Sequence, residues 1–149
     1  MEGIVIFAPK NILVPTDFSN YYNKAIKKAV EIALQHEFKT YILHVVDEIM
    51  QCAVDYCLDV SVVKQIEKQS TKFAEEKLRK IVKALPKGTK VAADIKMGDT
   101  YETILKERQR KRIDLIVIAS RGKKGLIHRL GSIADKVMRG AKCPVLLVK

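Results

Sequence analysis

A chain of 149 residues and 16.9 kDa fits one domain of ordinary size and leaves no room for a second. With 48% hydrophobic and 30% charged residues and a mean hydropathy of -0.04, it has the composition of a globular protein rather than a disordered one, and no apolar run approaches the ~20 residues that a bilayer span needs. The 28 Lys and Arg against 17 Asp and Glu give +11, and residues 106–142, with twelve basic and three acidic side chains, hold +9 of it.

The first strand is predicted at Asn11-Ile-Leu-Val-Pro15, a short apolar run suited to burial on both faces, ending in Pro15-Thr16-Asp17. Residues 1–10 precede it as an extension. Ser19 to His36 sets Ala25, Ala29, Ile32 and Ala33 on one face and reads as an amphipathic helix with Ser19 as N-cap. Thr40 to Val46 is rich in branched and aromatic residues and reads as the second strand, stopped by Asp47 and Glu48. Residues 47–60 lack a period and are expected to form a variable insertion.

A long helix is predicted from about Val62 to Leu85, with Val63, Ile66, Phe73, Leu78, Ile81 and Leu85 at helical spacing and Pro86-Lys87-Gly88 stopping it. Lys90 to Lys96 alternates as a third strand, and Thr100 to about Lys111 follows as a helix that turns Ile104 and Leu105 inward behind a cap at Asp99 or Thr100. Asp114 to Ala119 is the most apolar segment and reads as a central strand. A helix from Ser132 to Gly140, carrying Ile133, Val137 and Met138, and a strand from Pro144 to Val148 complete a β-α-β-α-β-α-β-α-β order. Such alternation implies a doubly wound parallel sheet with helices on both faces, and a ligand at the carboxyl ends of the strands.

Three groups lie just after strands: Pro15-Thr16-Asp17, Val45-Val46-Asp47, and Ala119 to Ser132. The third holds Gly122, Gly125 and Gly131 among Arg121, Lys123, Lys124 and Arg129, and Gly131-Ser132 opens a helix whose free N–H groups can hold phosphate. A solvated, lysine-rich surface turn is the plainer reading of the same residues. Neither GxxxxGK[ST] nor GxGxxG occurs. Asp17 can accept hydrogen bonds from a ligand or cap the following helix. Asp99 reads as a cap, His44 as a hydrogen-bonded core residue and His128 as a solvated one. No nucleophile elbow, Cys–His pair or convergent carboxylate pair is visible, so no catalytic residue is assigned. Cys52, Cys57 and Cys143 form no CxxC pair and are expected as reduced thiols, and with His36, His44 and His128 standing alone no metal site is expected. The N-terminus shows no secretory pattern, which points to the cytoplasm and away from a membrane.

Asn11-Ile-Leu-Val-Pro-Thr-Asp-Phe-Ser19, Leu43-His-Val-Val-Asp47, Gly98-Asp99, Asp114 to Gly122, Gly131-Ser132 and Cys143-Pro-Val-Leu-Leu-Val148, in this order and spacing, resemble the universal stress protein family. The resemblance implies a five-stranded parallel sheet of order 3-2-1-4-5, a homodimer through the C-terminal strand and, in one branch, an ATP site with the pattern Gly-x2-Gly-x9-Gly-[Ser/Thr]. Carried onto this chain, it places Asp17 and Val45 at the adenine, the main chain near Ala119 and Gly122 at the ribose and phosphates, and Gly131, Ser132 and Ile133 at the phosphates, with Pro15, Thr16 and Arg121 also assigned to the nucleotide site. Two departures stand out. Ala119 replaces the first glycine, which is harmless in a strand-like conformation, and only eight residues separate Gly122 from Gly131, which can shift the phosphate-facing glycine by up to ~3.5 Å. The resulting expectation is one domain over residues 1–149, a cytoplasmic nucleotide-dependent switch or adaptor that binds ATP, with Mg²⁺, and an unidentified protein partner, with at most slow hydrolysis. A dimeric module that has lost ATP binding is the alternative. A basic nucleic-acid binder is the least favoured, having no reading motif and only 6% aromatic residues.

Overall fold

The computed structural model describes residue 3 and residues 8–48, 54–122 and 129–149. Five strands and, among the described residues, four helices alternate: β1 (Asn11–Pro15), α1 (Asn20–His36), β2 (Lys39–Val46), α2 (Val60–Ala84), β3 (Lys90–Met97), α3 (Thr100–Arg110), β4 (Leu115–Ala119), α4 (Ser132–Gly140) and β5 (Val145–Val148). The strands form one parallel sheet of order β3-β2-β1-β4-β5, as the alternation and the family resemblance imply.

The two innermost strands to either side of the crossover, β1 and β4, are those with unbroken apolar runs. Ile12, Leu13, Val14, Ile116, Val117 and Ile118 are fully buried, because helices cover both faces of a parallel sheet. Asp114 ties the amino ends of these strands together by accepting from the main-chain N–H groups of Lys10 at 2.8 Å and Asn11 at 3.0 Å. Right-handed crossovers set α1 and α2 on one face and α3 and α4 on the other. On the second face Arg108 donates to the Lys142 carbonyl at 2.8 Å, and Gly140 lies so close to Tyr101 that an added Cβ would meet its hydroxyl.

α2 corrects one expectation. Val63, Ala74 and Leu78 are its buried residues, whereas Ile66 and Phe73 are 40% and 54% exposed. At about 100° per residue they fall roughly 60–80° to one side of Val63, beyond the stripe that meets the sheet. Met138 of α4, expected with the apolar face, is likewise exposed, while Val137 is buried. Of the expected insertion at 47–60, residues 49–53 lie outside the described residues; Val54, Tyr56 and Leu58 are exposed. Cys57 and Cys143 are free thiols, and Cys52 lies outside the described residues. Among the described residues no helix is long and apolar enough to cross a membrane.

Candidate functional site

The chain leaves β1 through a turn wound by its own side chains. Phe18 N–H donates to Thr16 Oγ1 at 3.0 Å and Ser19 N–H to Asp17 Oδ1 at 2.9 Å, and Phe18 is carried into the left-handed region at φ 64°, an uncommon conformation for a bulky residue. The turn is fastened to β2. Thr16 N–H donates to the Leu43 carbonyl at 2.8 Å, and His44 Nδ1 lies 2.8 Å from the Thr16 carbonyl. A carbonyl only accepts, so Nδ1 is the protonated ring nitrogen in this contact. The His44 ring also stacks on Phe18, with centroids 4.3 Å apart. His44, expected in the core, is thus hydrogen-bonded as predicted but only half-buried, and it faces a cavity.

On the other side of the crossover, Ala119 ends β4 with 1% exposure and without positive φ, so the methyl that replaces a glycine hydrogen sits in ordinary strand backbone. Ser120 N–H donates to the Val148 carbonyl at 2.8 Å, and the Ser120 carbonyl accepts from Gly131 N–H at 2.7 Å. The loop from β4 therefore returns to within one hydrogen bond of its start before α4 begins. The approach is tight at two glycines. A Cβ added to Gly131 would lie 3.3 Å from the Ser120 carbonyl oxygen, and one added to Gly122 would lie 2.5 Å from Asp17 Oδ2. No side chain fits at Gly122 without moving the Asp17 carboxylate. Lys123, Lys124, Gly125 and His128, with the shortened stretch of the loop they occupy, lie outside the described residues.

Between these walls is a cavity of about 510 Å³, inside the ~300–1,000 Å³ range of small-molecule sites. All ten residues singled out from the sequence line it: Pro15, Thr16 and Asp17 after β1, Val45 on β2, Ala119, Arg121 and Gly122 after β4, and Gly131, Ser132 and Ile133 at the start of α4. Tyr22, Leu43, His44, Asp47, Asp99, Thr100 and Ala134 line it as well. Asp99 does cap α3, accepting from Glu102 N–H at 2.9 Å, but it also borders the cavity beside Asp47, whose Oδ1 accepts from Thr100 Oγ1 at 3.4 Å. Gly98 permits this by turning at φ 141° directly after β3. The sequence places Asp47 in the group after the second strand and offers Thr100 as a cap, but assigns neither to the ligand site that both line.

The two ends of the cavity differ in charge. Asp17, Asp47 and Asp99 gather at the ends of β1, β2 and β3, whereas Arg121 and the N-terminus of α4 stand at the β4 end. Arg121 sits 5.1 Å over the Tyr21 ring, a cation–π contact that holds the guanidinium at the rim. Burial, reinforced by the neighbouring Asp17 charge, pushes the Tyr22 phenol well up, so it remains a neutral hydroxyl at physiological pH. Among the described residues no group of three or more His, Cys, Asp or Glu is arranged to hold a metal ion.

An open, parallel α/β sheet with a crevice where the strand order reverses defines a class of proteins that bind ligands at that switch point. Within it, residues 9–149 match the model of the universal stress protein family. The chain belongs to that family. It is 31% identical over 141 residues to the universal stress protein MJ0531 of Methanocaldococcus jannaschii, covering 94% of this chain and 82% of that one. The structure of MJ0577 from the same organism superposes with a TM-score of 0.82 at 32% identity, over 94% of this chain and 95% of that one. A universal stress protein from Archaeoglobus fulgidus in complex with dAMP has the same fold, with a TM-score of 0.60 at 20% identity over 97% of this chain and all of that one.

Proposed function

We propose that the cavity binds an adenine nucleotide, ATP with Mg²⁺ on its phosphates, and that the protein works in a stress response as a nucleotide-dependent switch or adaptor rather than as a fast enzyme. The observation that carries this reading is the polarity of the cavity. Gly122 and Gly131 bring main chain close to the ligand space, and the α4 N-terminus and Arg121 supply positive potential for phosphate. The Asp17 carboxylate and the Val45 main chain on the other side suit the N–H donors and acceptors of a purine. Mg²⁺ would arrive on the phosphates, because the described residues offer no group of three ligating side chains and this ion keeps much of its water. The dAMP bound by the Archaeoglobus relative belongs to the same ligand class.

Purification without added nucleotide, followed by denaturation and mass spectrometry of the supernatant, tests the reading. Released adenine nucleotide is the expected result. A protein free of nucleotide that also fails to bind ATP or AMP at millimolar concentration would instead favour the partner-binding module.

We further propose a homodimer through β5. Among the described residues Val145–Val148 pairs with β4 on one side only, and its residues are half-buried, so the other side offers hydrogen-bonding main chain to a twin. Charge placed at Val145 and Leu147 should shift a sedimenting dimer to monomer; a monomer from the outset, or a dimer indifferent to the substitutions, contradicts this.

A further inference from the structure

α1 and α2 lie side by side on one face of the sheet, yet they make little contact with each other. α1 packs chiefly over β4 and β1 and α2 over β3 and β2, which leaves a groove between them. Val62, Ile66 and Phe73 of α2 fall within about 40° of one another around the helix, and all three are exposed. By the right-handed sense of the helix this stripe is displaced from the buried line of α2 towards α1, and Leu34, also exposed, is displaced from the buried line of α1 towards α2. Leu34 marks the lower end of the groove: with Phe38, Gly88 and Lys90 it borders a cavity of about 140 Å³ between the end of α1 and the start of β3.

The rims of the groove are basic. α1 carries three Lys against one Glu and α2 seven Lys or Arg against three Glu, +6 for this layer, whereas α3 and α4 together carry +2. Among the described residues the ion pair of this layer is Lys28–Glu31, which takes up the only acid of α1 and leaves Lys27 exposed on the rim. On α2, Lys80 is exposed in line with the apolar stripe, and Lys77 rests over the Phe73 ring at 5.4 Å.

We propose that the groove between α1 and α2 docks an amphipathic helix of a partner protein, one whose apolar stripe is flanked by Asp and Glu. Such a helix reads a groove through anchors at i, i+3, i+4 and i+7; here its apolar face covers Leu34, Ile66 and Phe73, and its acidic flanks meet Lys27 and Lys80. Charge complementarity selects this occupant over the others. A second copy of the chain brings +11 against +11, a repulsion across the basic rims. A nucleic acid neutralises the cations but leaves the apolar stripe in water. A bilayer takes up helices whose apolar face is turned outward, whereas this stripe is turned sideways towards the neighbouring helix. None of these residues lines the nucleotide cavity, and the proposal stands whether or not that cavity binds ATP.

Fluorescence anisotropy on the full chain tests it, with a labelled helical peptide of about 18 residues that carries Leu at i, i+3, i+4 and i+7 and Glu at the flanking positions. At low salt this peptide should bind at least about tenfold tighter than the same peptide with Lys in place of Glu. Ile66→Ser with Phe73→Ser, both at exposed positions, should weaken it at least about tenfold, as the loss of two anchors does, with an unchanged circular dichroism spectrum. Lys27→Glu with Lys80→Glu should weaken the Glu peptide and tighten the Lys peptide, a reversal that loss of fold cannot produce. Lys106→Glu with Lys136→Glu, an equal charge change at exposed positions of α3 and α4, should leave affinity within about threefold, since a remote charge is largely screened. No binding of the Glu peptide at low salt, equal affinity for the two peptides, equal losses from the two charge-reversed faces, displacement of the Glu peptide by phosphatidylserine vesicles or a DNA duplex, or a self-association of the chain that Ile66→Ser with Phe73→Ser abolishes would overturn the proposal.

Discussion

The two walls of the cavity are built by the same device and carry opposite chemistry. On the β1–β2 side, the Thr16 turn is fastened by Leu43 and His44 and bears carboxylates and rings. On the β4–α4 side, the loop is closed by the Gly131–Ser120 hydrogen bond of 2.7 Å and bears glycine main chain, Arg121 and a helix N-terminus. The contrast bears on the proposed pose of a nucleotide: a polar, uncharged base would suit the first wall, where phosphates would meet Asp17, Asp47 and Asp99, and phosphates would suit the second. Gly122 is the point where the walls touch, through the Asp17 carboxylate.

Breaking that contact should give the largest effect. Gly122→Val puts a branched side chain where even a Cβ would come within 2.5 Å of Asp17 Oδ2, so the Asp17 carboxylate must turn away from its place in the cavity and the added methyls fill the space between the walls. Calorimetry should show affinity for ATP and for adenosine lost together, by more than ~100-fold, with a lowered melting temperature, as overpacking costs about 1–3 kcal/mol. Unchanged binding would mean that the walls do not act as one site.

Gly131→Val separates the walls in function. Its side chain would crowd the Ser120 carbonyl, 3.3 Å from an added Cβ, and cover the first N–H groups of α4, so ATP affinity should fall about tenfold, the loss of roughly one charge-assisted hydrogen bond, while adenosine binding stays nearly constant. Asp17→Ala is the counterpart. It should weaken adenosine and ATP by a similar factor, about fivefold, and cost about 1 kcal/mol of stability because Ser19 N–H loses its acceptor at 2.9 Å.

The smallest effect belongs to a side chain outside the cavity lining, on the edge strand β3, and serves as a control. Burial pushes the Asp94 carboxyl up, but its hydrogen bond and ion pair with Lys111, with Lys96 and Arg110 nearby, pull it further down, to a net value below the usual carboxylate range. A carboxylate held low in the folded state stabilises above its ordinary pKa near ~4 and loses that contribution as pH falls through the lowered value. Asp94→Asn should therefore narrow the difference in stability between neutral and acid pH, read from denaturant midpoints, and leave ATP affinity unchanged.

Much of this was legible before the structure. The five strands are short apolar runs bounded by Pro, Asp and Gly, and the walls follow from the rule that ligands sit at strand ends, which is why Asp17, Val45, Ala119 and Gly131 could be named from spacing and resemblance. What stayed hidden are contacts between segments far apart in sequence. The apposition of Gly122 to Asp17 leaves no trace in either segment. His44 was assigned to the core because its strand is apolar, yet its ring turns to the cavity since Thr16 offers a carbonyl. Ile66 and Phe73 fit a helical period but miss the sheet, because periodicity gives a stripe and only the neighbouring strands fix its width.

The most direct test of the central claim is a calorimetric comparison of ATP, with Mg²⁺ present, and adenosine binding to the unaltered protein. Both should bind, with ATP the tighter by at least about tenfold, the worth of one or two charge-assisted contacts at the α4 wall. Adenosine binding as tightly as ATP would contradict the assignment of that wall to phosphate, and no heat from either at millimolar concentration would contradict the nucleotide site itself.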